Sequence, residues 1–159
     1  MCGIVGYAGP DEALPIVLEG LRRLEYRGYD SAGVAVIDGG LGVVKRAGKL
    51  GELEAALDAG ASPSGSVGMG HTRWATHGAP TDRNAHPHLD CSGRVAVIHN
   101  GIVENFQALR TRLEKQGHTF VSETDTEAVA HLIEEILRGS DVSVPDAVRA
   151  AVRQLHGAF

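Results

Sequence analysis

The chain has 159 residues, enough for one ordinary domain with an apolar core. Hydrophobic residues make up 43%, charged residues 22%, and the formal net charge is −5; this balance is typical of a soluble globular protein and offers no basic stripe for nucleic acid. No apolar run approaches a membrane span, no signal peptide is evident, and two cysteines make no disulfide framework, so we expect a cytoplasmic protein.

The first half of the chain predicts a strand at 2–8 and a helix at 11–25. Pro15 is compatible with that helix only in its first turn. Apolar runs at 33–38 and 41–46 flank Gly39-Gly40, which predicts a hairpin with a two-residue turn. A short helix follows at 49–59. The buried side of the first helix is expected to consist of Ile16, Leu18, Leu21 and Leu24.

The second half predicts strands at 67–74 and 94–101, separated by a long polar loop that contains histidines. Helices are predicted at 102–116, 125–138 and 144–156, and the pattern from Thr124 to Glu127 is that of a capping box. The faces expected to be buried are Ile102, Phe106, Leu109 and Leu113 in the first of these helices, Val129, Leu132, Ile133, Ile136 and Leu137 in the second, and Val148, Val152 and Leu155 in the third.

Hairpins and amphipathic helices together indicate an α+β protein in which helices cover antiparallel sheets. Glycine is abundant, with 21 residues. Many of these glycines lie beside polar residues, which predicts tight turns near a functional site.

Cys2 is the first candidate for chemistry. Removal of Met1 leaves Cys2 with a free α-amine. Such an amine has a pKa of about 7.7–8.0 and can act as a base near neutral pH. A thiol with a pKa of about 8.5 needs such a neighbour to become an efficient nucleophile. One residue would then supply nucleophile and base, whereas the alternative is a buried structural cysteine in the first strand.

Three further positions carry groups that could bind a free amino acid and stabilise an oxyanion. Arg73 could hold a carboxylate through two parallel hydrogen bonds, and Asp125 could hold an ammonium group. Asn100-Gly101 follows an apolar strand and could stabilise an oxyanion. The structural alternatives are a surface ion pair for Arg73, a plain turn for Asn100-Gly101 and a helix-dipole contact for Asp125.

The histidines of this region also raise the hypothesis of a metal site. Its candidate ligands are His71, His77, His86, His88 and Cys91. Their spacing matches no compact zinc pattern, so we expect neither a metal nor a cofactor.

Six sequence blocks occur in the order of a known family. The blocks are CGIVGY, LRRLEYRGYDSAGVAV, GHTRWATHG, NAHPH, HNGIVEN and SETDTE. Together they resemble the glutaminase domains of the glutamine–fructose-6-phosphate aminotransferases (isomerising), or glucosamine-6-phosphate synthases. The related amidophosphoribosyltransferases share an N-terminal cysteine and an HNG block, but LEYRGYDSAG and HTRWATHG resemble the synthases.

The resemblance implies an N-terminal-nucleophile hydrolase with a four-layer αββα sandwich. It makes Cys2 the nucleophile, and Asn100 and Gly101 the oxyanion hole. It places glutamine against Arg73 and Asp125. The remaining positions that it assigns to the site are Thr76 and His77 as pocket neighbours, Trp74 as a residue of the ammonia path and Arg27 as a supporting residue.

The expected activity is hydrolysis of L-glutamine to glutamate and ammonia, which a sugar-isomerase domain of the parent polypeptide would use to convert fructose 6-phosphate into glucosamine 6-phosphate. The whole of residues 1–159 is expected to be one class II glutaminase domain that stops before the family's last strands, without the isomerase domain. Because an unpaired sheet edge favours association, a homo-oligomer is also expected. The alternatives are a glutaminase that serves another acceptor and a regulatory module without turnover.

Overall fold

A computed structural model describes residues 2–60, 62–74, 78–139 and 141–158. The chain divides into two compact units, residues 1–87 and 88–159. The elements of the first unit are β1 (Gly3–Ala8), α1 (Ala13–Leu24), β2 (Ser31–Ile37), β3 (Leu41–Ala47), α2 (Leu50–Ala59) and β4 (Val67–Arg73). The elements of the second unit are β5 (His88–Leu89), β6 (Ala96–Val97), β7 (Ile102–Val103), α3 (Phe106–Lys115), α4 (Thr126–Gly139), α5 (Val144–Val152) and β8 (Gly157–Ala158).

The first unit is built on a four-stranded antiparallel sheet in the order β1-β4-β2-β3. Helices α1 and α2 pack on this sheet, and apolar side chains from both helices and from β2 form its core. The predicted strand at 2–8, the helix at 49–59 and the hairpin are therefore confirmed. Ile37 pairs with Leu41, however, so the hairpin turn has three residues, 38–40, rather than the predicted two.

Helix α1 lies unusually close to β4 because the strand presents glycines to it. A Cβ added to Gly70 would lie 2.5 Å from Val17 Cγ1 and 2.9 Å from Leu21 Cδ1. The buried side of α1 is Ala13, Val17 and Leu21. Of the predicted face, Leu21 is buried and Leu18 packs against the core, but Ile16 is 38% exposed. Gly70 therefore allows a helix to pack closely on a sheet, whereas we expected the glycines to form turns.

Lys45 on β3 fixes the segment that follows residue 81. Its Nζ donates to the carbonyl oxygens of Arg83, Ala85 and Pro87 at 3.2, 2.9 and 3.1 Å. The segment runs against β2, since a Cβ added to Gly33 would lie 2.1 Å from the His86 carbonyl oxygen. Part of the predicted polar loop is therefore held by hydrogen bonds from the Lys45 side chain to its backbone carbonyl oxygens.

The second unit has a helical core. Helix α4 packs against α3 and α5, and also contacts the two-stranded sheet of β5 and β6. The residues predicted to be buried in α4 do contribute to this core. Val129, Leu132 and Ile133 are buried, while Ile136 and Leu137 pack against them.

The structure corrects several predictions in the second unit. The strand predicted at 94–101 is regular only at Ala96–Val97, and the helix predicted from residue 102 begins at Phe106. Ile102 belongs instead to β7, which pairs with β8. Helix α5 buries Ala147 and Ala151.

The face predicted for α5 is therefore wrong for Val148 and Val152, which are 39% and 43% exposed, whereas Leu155 does pack against the core. The predicted capping box does not form either. Glu127 Oε1 and Oε2 accept from the backbone N–H groups of Val121 and Ser122, each at 2.7 Å. The Thr124 N–H donates to Ser122 Oγ.

The helices of the described segments are too short or too polar to span a membrane.

Candidate active site

Cys2 lies immediately before β1, where its sulfur contacts the residue that follows β4. The Trp74 backbone N–H donates to Cys2 Sγ at 3.1 Å, and Sγ lies 3.7 Å from the Trp74 carbonyl oxygen. Cys2 is partly buried and forms no disulfide. The alternative of a fully buried structural cysteine does not describe this position. A thiol with a backbone donor at its sulfur and access from solvent is suited to nucleophilic chemistry.

The residue after Cys2 must be small. A Cβ added to Gly3 would lie 2.7 Å from Leu24 Cδ1 and 2.8 Å from Thr72 Oγ1. The Gly3 N–H donates to this Thr72 oxygen at 3.1 Å, and Gly3 is paired with Thr72 in the sheet. Thr72 therefore fixes the backbone beside Cys2. Sequence analysis did not single out Thr72, because its role depends on the pairing of two distant strands.

Arg73 ends β4 and is buried, with 4% of the residue exposed. Its Nη2 is 3.4 Å from the Gly78 carbonyl oxygen. Its own carbonyl accepts from the Asp30 N–H at 2.8 Å. A buried guanidinium is costly unless anions or acceptors surround it. The surface ion pair that was the structural alternative for Arg73 is therefore ruled out by its burial.

Trp74 extends beyond the sheet and is 54% exposed. Its ring covers Gly28, because a Cβ placed on that glycine would lie 3.1 Å from Trp74 Cζ3. The neighbouring Arg27 is exposed, and its Nε donates to the hydroxyl of Tyr26 at 3.2 Å. A supporting role of Arg27 in the site therefore stays a prediction.

Two predicted site residues, Thr76 and His77, lie outside the described residues. Among the histidines of the same region, His71 and His86 stack with ring centroids 4.3 Å apart. His88 Nε2 is 2.9 Å from the hydroxyl of Thr124.

In the second unit, Asn100 and Gly101 immediately precede β7, and both are exposed. Gly101 has a φ of 159°, close to extended backbone. The residue before them, His99, is partly buried and its Nδ1 lies 3.4 Å from Thr126 Oγ1. Burial lowers the pKa of His99 below 6.5, and the nearby Asp125 carboxylate offsets part of that effect.

Asp125 lies immediately before α4 and is buried, with 5% exposed. Its Oδ2 accepts from the Val103 backbone N–H at 2.7 Å. The carboxylate thus fixes the strand that follows Asn100-Gly101, in addition to lying at the positive end of a helix. Sequence analysis did not find this hydrogen bond, because nothing in the local pattern links residues 103 and 125.

The predicted residues fall into two groups. Cys2, Arg73 and Trp74 lie together in the first unit, at the adjoining ends of β1 and β4. In the second unit, Asn100 and Gly101 lead into β7, whose backbone is bonded to Asp125. The first group offers a nucleophile and a cation, and the second offers exposed amides and a buried carboxylate.

Comparisons with known proteins point to one family. A model of the glutamine amidotransferase domain matches residues 57–143. The chain is 60% identical to a glutamine–fructose-6-phosphate aminotransferase (isomerizing) of Streptomyces coelicolor and 54% identical to one of Pyrococcus horikoshii. Each comparison covers 100% of this chain but 26% of the relative, so the chain spans about a quarter of the length of these curated relatives.

Two solved structures share the fold. A glutamine phosphoribosylpyrophosphate amidotransferase from B. subtilis, complexed with ADP and GMP, aligns with a TM-score of 0.79 at 31% identity. A structure described as the allosteric regulatory enzyme of purine biosynthesis aligns with a TM-score of 0.83 at 32% identity. Each covers 99% of this chain and 34% of the solved chain. The predicted α+β class of the N-terminal-nucleophile hydrolase type is therefore confirmed.

Proposed function

The chain belongs to the glutamine amidotransferase domain family, and on that basis we propose that it hydrolyses L-glutamine to glutamate and ammonia with Cys2 as the nucleophile. The observation that carries the proposal is the partly buried Cys2 immediately before β1, whose sulfur lies 3.1 Å from the Trp74 backbone nitrogen. A hydrogen-bond donor at sulfur favours the development of negative charge there.

In the proposed reaction, removal of Met1 frees the α-amine of Cys2. This amine takes the thiol proton, directly or through water, and the thiolate attacks the side-chain amide carbon of glutamine. Asn100 and Gly101 donate to the oxyanion that forms; loss of one such donor typically lowers kcat by about 100-fold to 1000-fold. The protonated amine returns its proton to the departing ammonia, and water hydrolyses the γ-glutamyl thioester to glutamate and the free thiol.

Two charged residues would hold the substrate's backbone. The buried Arg73 guanidinium suits the α-carboxylate of glutamine, because its planar donors match two carboxylate oxygens. Asp125 suits the α-ammonium group through charge and hydrogen bonding. Trp74, Thr76, His77 and Arg27 are proposed to line or support the site. This assignment predicts a preference for free L-glutamine over analogues with a blocked carboxylate or amine.

The names of the relatives support a proposal for the ammonia acceptor. Those that are 54–60% identical are named glutamine–fructose-6-phosphate aminotransferases, whereas the proteins of the two solved structures are 31% and 32% identical. We therefore propose that the protein that carries this chain transfers the ammonia to fructose 6-phosphate and forms glucosamine 6-phosphate. This step would take place on a sugar-isomerase domain of the same polypeptide. A reducing cytoplasm would keep the Cys2 thiol free, and self-association into a homo-oligomer remains part of the proposal.

The test measures glutamate and ammonia released from L-glutamine by the unmodified protein and by Cys2→Ser. Loss of a thiol nucleophile should reduce the rate by at least about 1000-fold, with an unchanged circular dichroism spectrum. An electrophilic glutamine analogue should label Cys2 and leave Cys91, the internal control, unlabelled. Glutamine hydrolysis by Cys2→Ser at an unchanged rate would contradict the proposal.

A further inference from the structure

We propose that Cys91, His118, His131 and Glu134 form a binding site for one zinc ion. The four side chains belong to the second unit and come from three separate segments of the chain. Cys91 lies in the turn after β5, His118 in the segment between α3 and α4, and the other two residues on α4. One candidate ligand atom of each residue lies within 4.8 Å of the other three.

Three distances between the ligand atoms are close to those of a tetrahedral zinc site, and a fourth is about 0.4 Å shorter. His118 Nδ1 and His131 Nδ1 lie 3.0 and 3.5 Å from Glu134 Oε2. Cys91 Sγ lies 3.5 Å from His131 Nδ1 and 3.8 Å from His118 Nδ1. With usual zinc bond lengths, a tetrahedron places nitrogen and oxygen ligands about 3.4 Å apart, and sulfur and nitrogen about 3.6 Å apart.

Hydrogen bonding alone accounts less well for the same distances. The contact between His131 Nδ1 and Glu134 Oε2 is 3.5 Å, longer than the usual range for an N–H···O bond. The rival arrangement holds His118 by hydrogen bonds to Glu134 at 3.0 Å and to Glu135 at 2.9 Å, without any metal. That arrangement explains the position of His118 but not the orientation of His131 towards the Cys91 sulfur.

The groups that contact the four proposed ligands are of the kind that orient metal ligands in other proteins. The other ring nitrogen of each histidine faces a carboxylate, since His118 Nε2 is 2.9 Å from Glu135 and His131 Nε2 is 3.5 Å from Glu127. Metal-bound histidines commonly have such a partner, which fixes the ring and the tautomer. The Thr119 N–H lies 3.4 Å from Cys91 Sγ and would stabilise a thiolate.

Burial and ligand chemistry select the metal. His118, His131 and Glu134 are 4%, 1% and 3% exposed, whereas Cys91 is exposed and leaves a route for an ion from solvent. One sulfur, two imidazole nitrogens and one carboxylate oxygen suit zinc better than Ca²⁺ or Mg²⁺, which prefer oxygen ligands. With four protein ligands the site has no open position, so its role is structural: it joins three segments of the unit that carries Asn100 and Asp125.

This proposal replaces the expectation of a metal-free chain. The sequence grouped Cys91 with His71, His77, His86 and His88 as candidate metal ligands. The structure places it instead beside His118 and His131. The ligands are separated along the chain by 27, 13 and 3 positions, a spacing that matches no compact zinc motif.

The experiment measures metal content and is independent of glutamine hydrolysis. The protein is reconstituted with zinc, dialysed and analysed for bound metal. We expect about one zinc per chain, falling to below about 0.1 in Cys91→Ser and His131→Gln. Cys2→Ser removes the other thiol and is the matched control, which should keep its zinc.

Cobalt binding by the unmodified protein provides a second measurement, and this measurement does not depend on whether the variants fold. Co²⁺ bound by the unmodified protein should show a thiolate-to-metal charge-transfer band and the intense visible bands of tetrahedral coordination. Failure to take up zinc and cobalt would overturn the proposal. Zinc bound equally by the unmodified protein, Cys91→Ser and His131→Gln would overturn it as well, because the ion would then lie elsewhere.

Discussion

At the scale of single residues, Asp125 combines two roles that substitutions can separate. Its carboxylate holds the Val103 N–H at 2.7 Å and is proposed to bind the α-ammonium group of glutamine. Asparagine retains an oxygen for the backbone N–H but lacks the charge. Alanine lacks both, and leaves a buried donor without its acceptor.

We expect Asp125→Asn to raise KM for glutamine by about 10-fold to 100-fold, the equivalent of one charge-assisted hydrogen bond, while Tm changes little. Asp125→Ala should in addition lower the free energy of unfolding by about 1–3 kcal/mol. Steady-state kinetics and thermal unfolding of both variants check this. An unchanged KM in Asp125→Asn would exclude the binding role. If that variant loses helical circular dichroism, the helix-dipole contact is the main role of the residue.

His99 makes stability depend on pH. Because burial lowers its pKa below 6.5 in the folded protein, the neutral ring is favoured by folding. Its contribution to stability is complete above the unfolded pKa and is lost as pH falls from about 6.5 through the lower folded value. The free energy of unfolding should therefore fall on acidification, by at most about 1.4 kcal/mol per pH unit for this one proton.

Denaturant unfolding from pH 7.5 to pH 5 should show a smaller acid loss in His99→Gln than in the unmodified protein. His156 is exposed and supplies the matched control. His156→Gln should retain the full dependence on pH. Identical profiles for His99→Gln and the unmodified protein would show that the His99 ring is not the group responsible.

At the scale of elements, the contact of α1 with β4 depends on Gly70. A methyl group there would lie 2.5 Å from Val17 Cγ1, so the helix or the side chain must move. Overpacking of this kind typically costs about 1–3 kcal/mol. We expect Gly70→Ala to lower the free energy of unfolding by that amount, measured by denaturant titration.

Gly51 is the matched control, since it lies in α2 and a Cβ there meets nothing within 4 Å. Gly51→Ala should stabilise the protein by about 0.5–1 kcal/mol, because alanine loses less backbone freedom in a helix. A neutral or stabilising Gly70→Ala would show that α1 does not require the glycine.

Local sequence patterns predicted the helices and strands whose structure depends mainly on their own residues. The hairpin of β2 and β3 and the helix α4 have clear periodicity and were identified correctly. Ile102 was assigned to a helix because its spacing from Phe106 is helical, but β7 is determined by pairing with β8, more than 50 residues away. In α5, apolar residues occur as adjacent pairs, and the close contact with α4 buries the smaller member, alanine.

The site shows the same division. Motifs in the sequence predicted Cys2, Arg73, Asn100, Gly101 and Asp125 as site residues, and these assignments stay predictions. Thr72 and the proposed zinc ligands were not found, because their roles depend on segments that only the fold brings together.

At the scale of the whole molecule, the proposed mechanism requires that Cys2, the nucleophile, be the first residue of the mature chain. If the α-amine of Cys2 is the base, any residue before it converts that amine into an amide and removes the base, while the Trp74 N–H and the sheet around Cys2 remain. Activity should therefore depend on the N-terminus independently of folding.

The most direct test compares the rates of glutamate formation by two forms of the protein that carries this chain, one beginning at Cys2 and one with Met1 retained, each identified by intact mass. The proposed mechanism predicts that the Met1-retaining form has the same circular dichroism spectrum and Tm. Its glutaminase activity should be at least about 100-fold lower, because a positioned general base usually contributes that much to the rate. Equal activity of the two forms would contradict it.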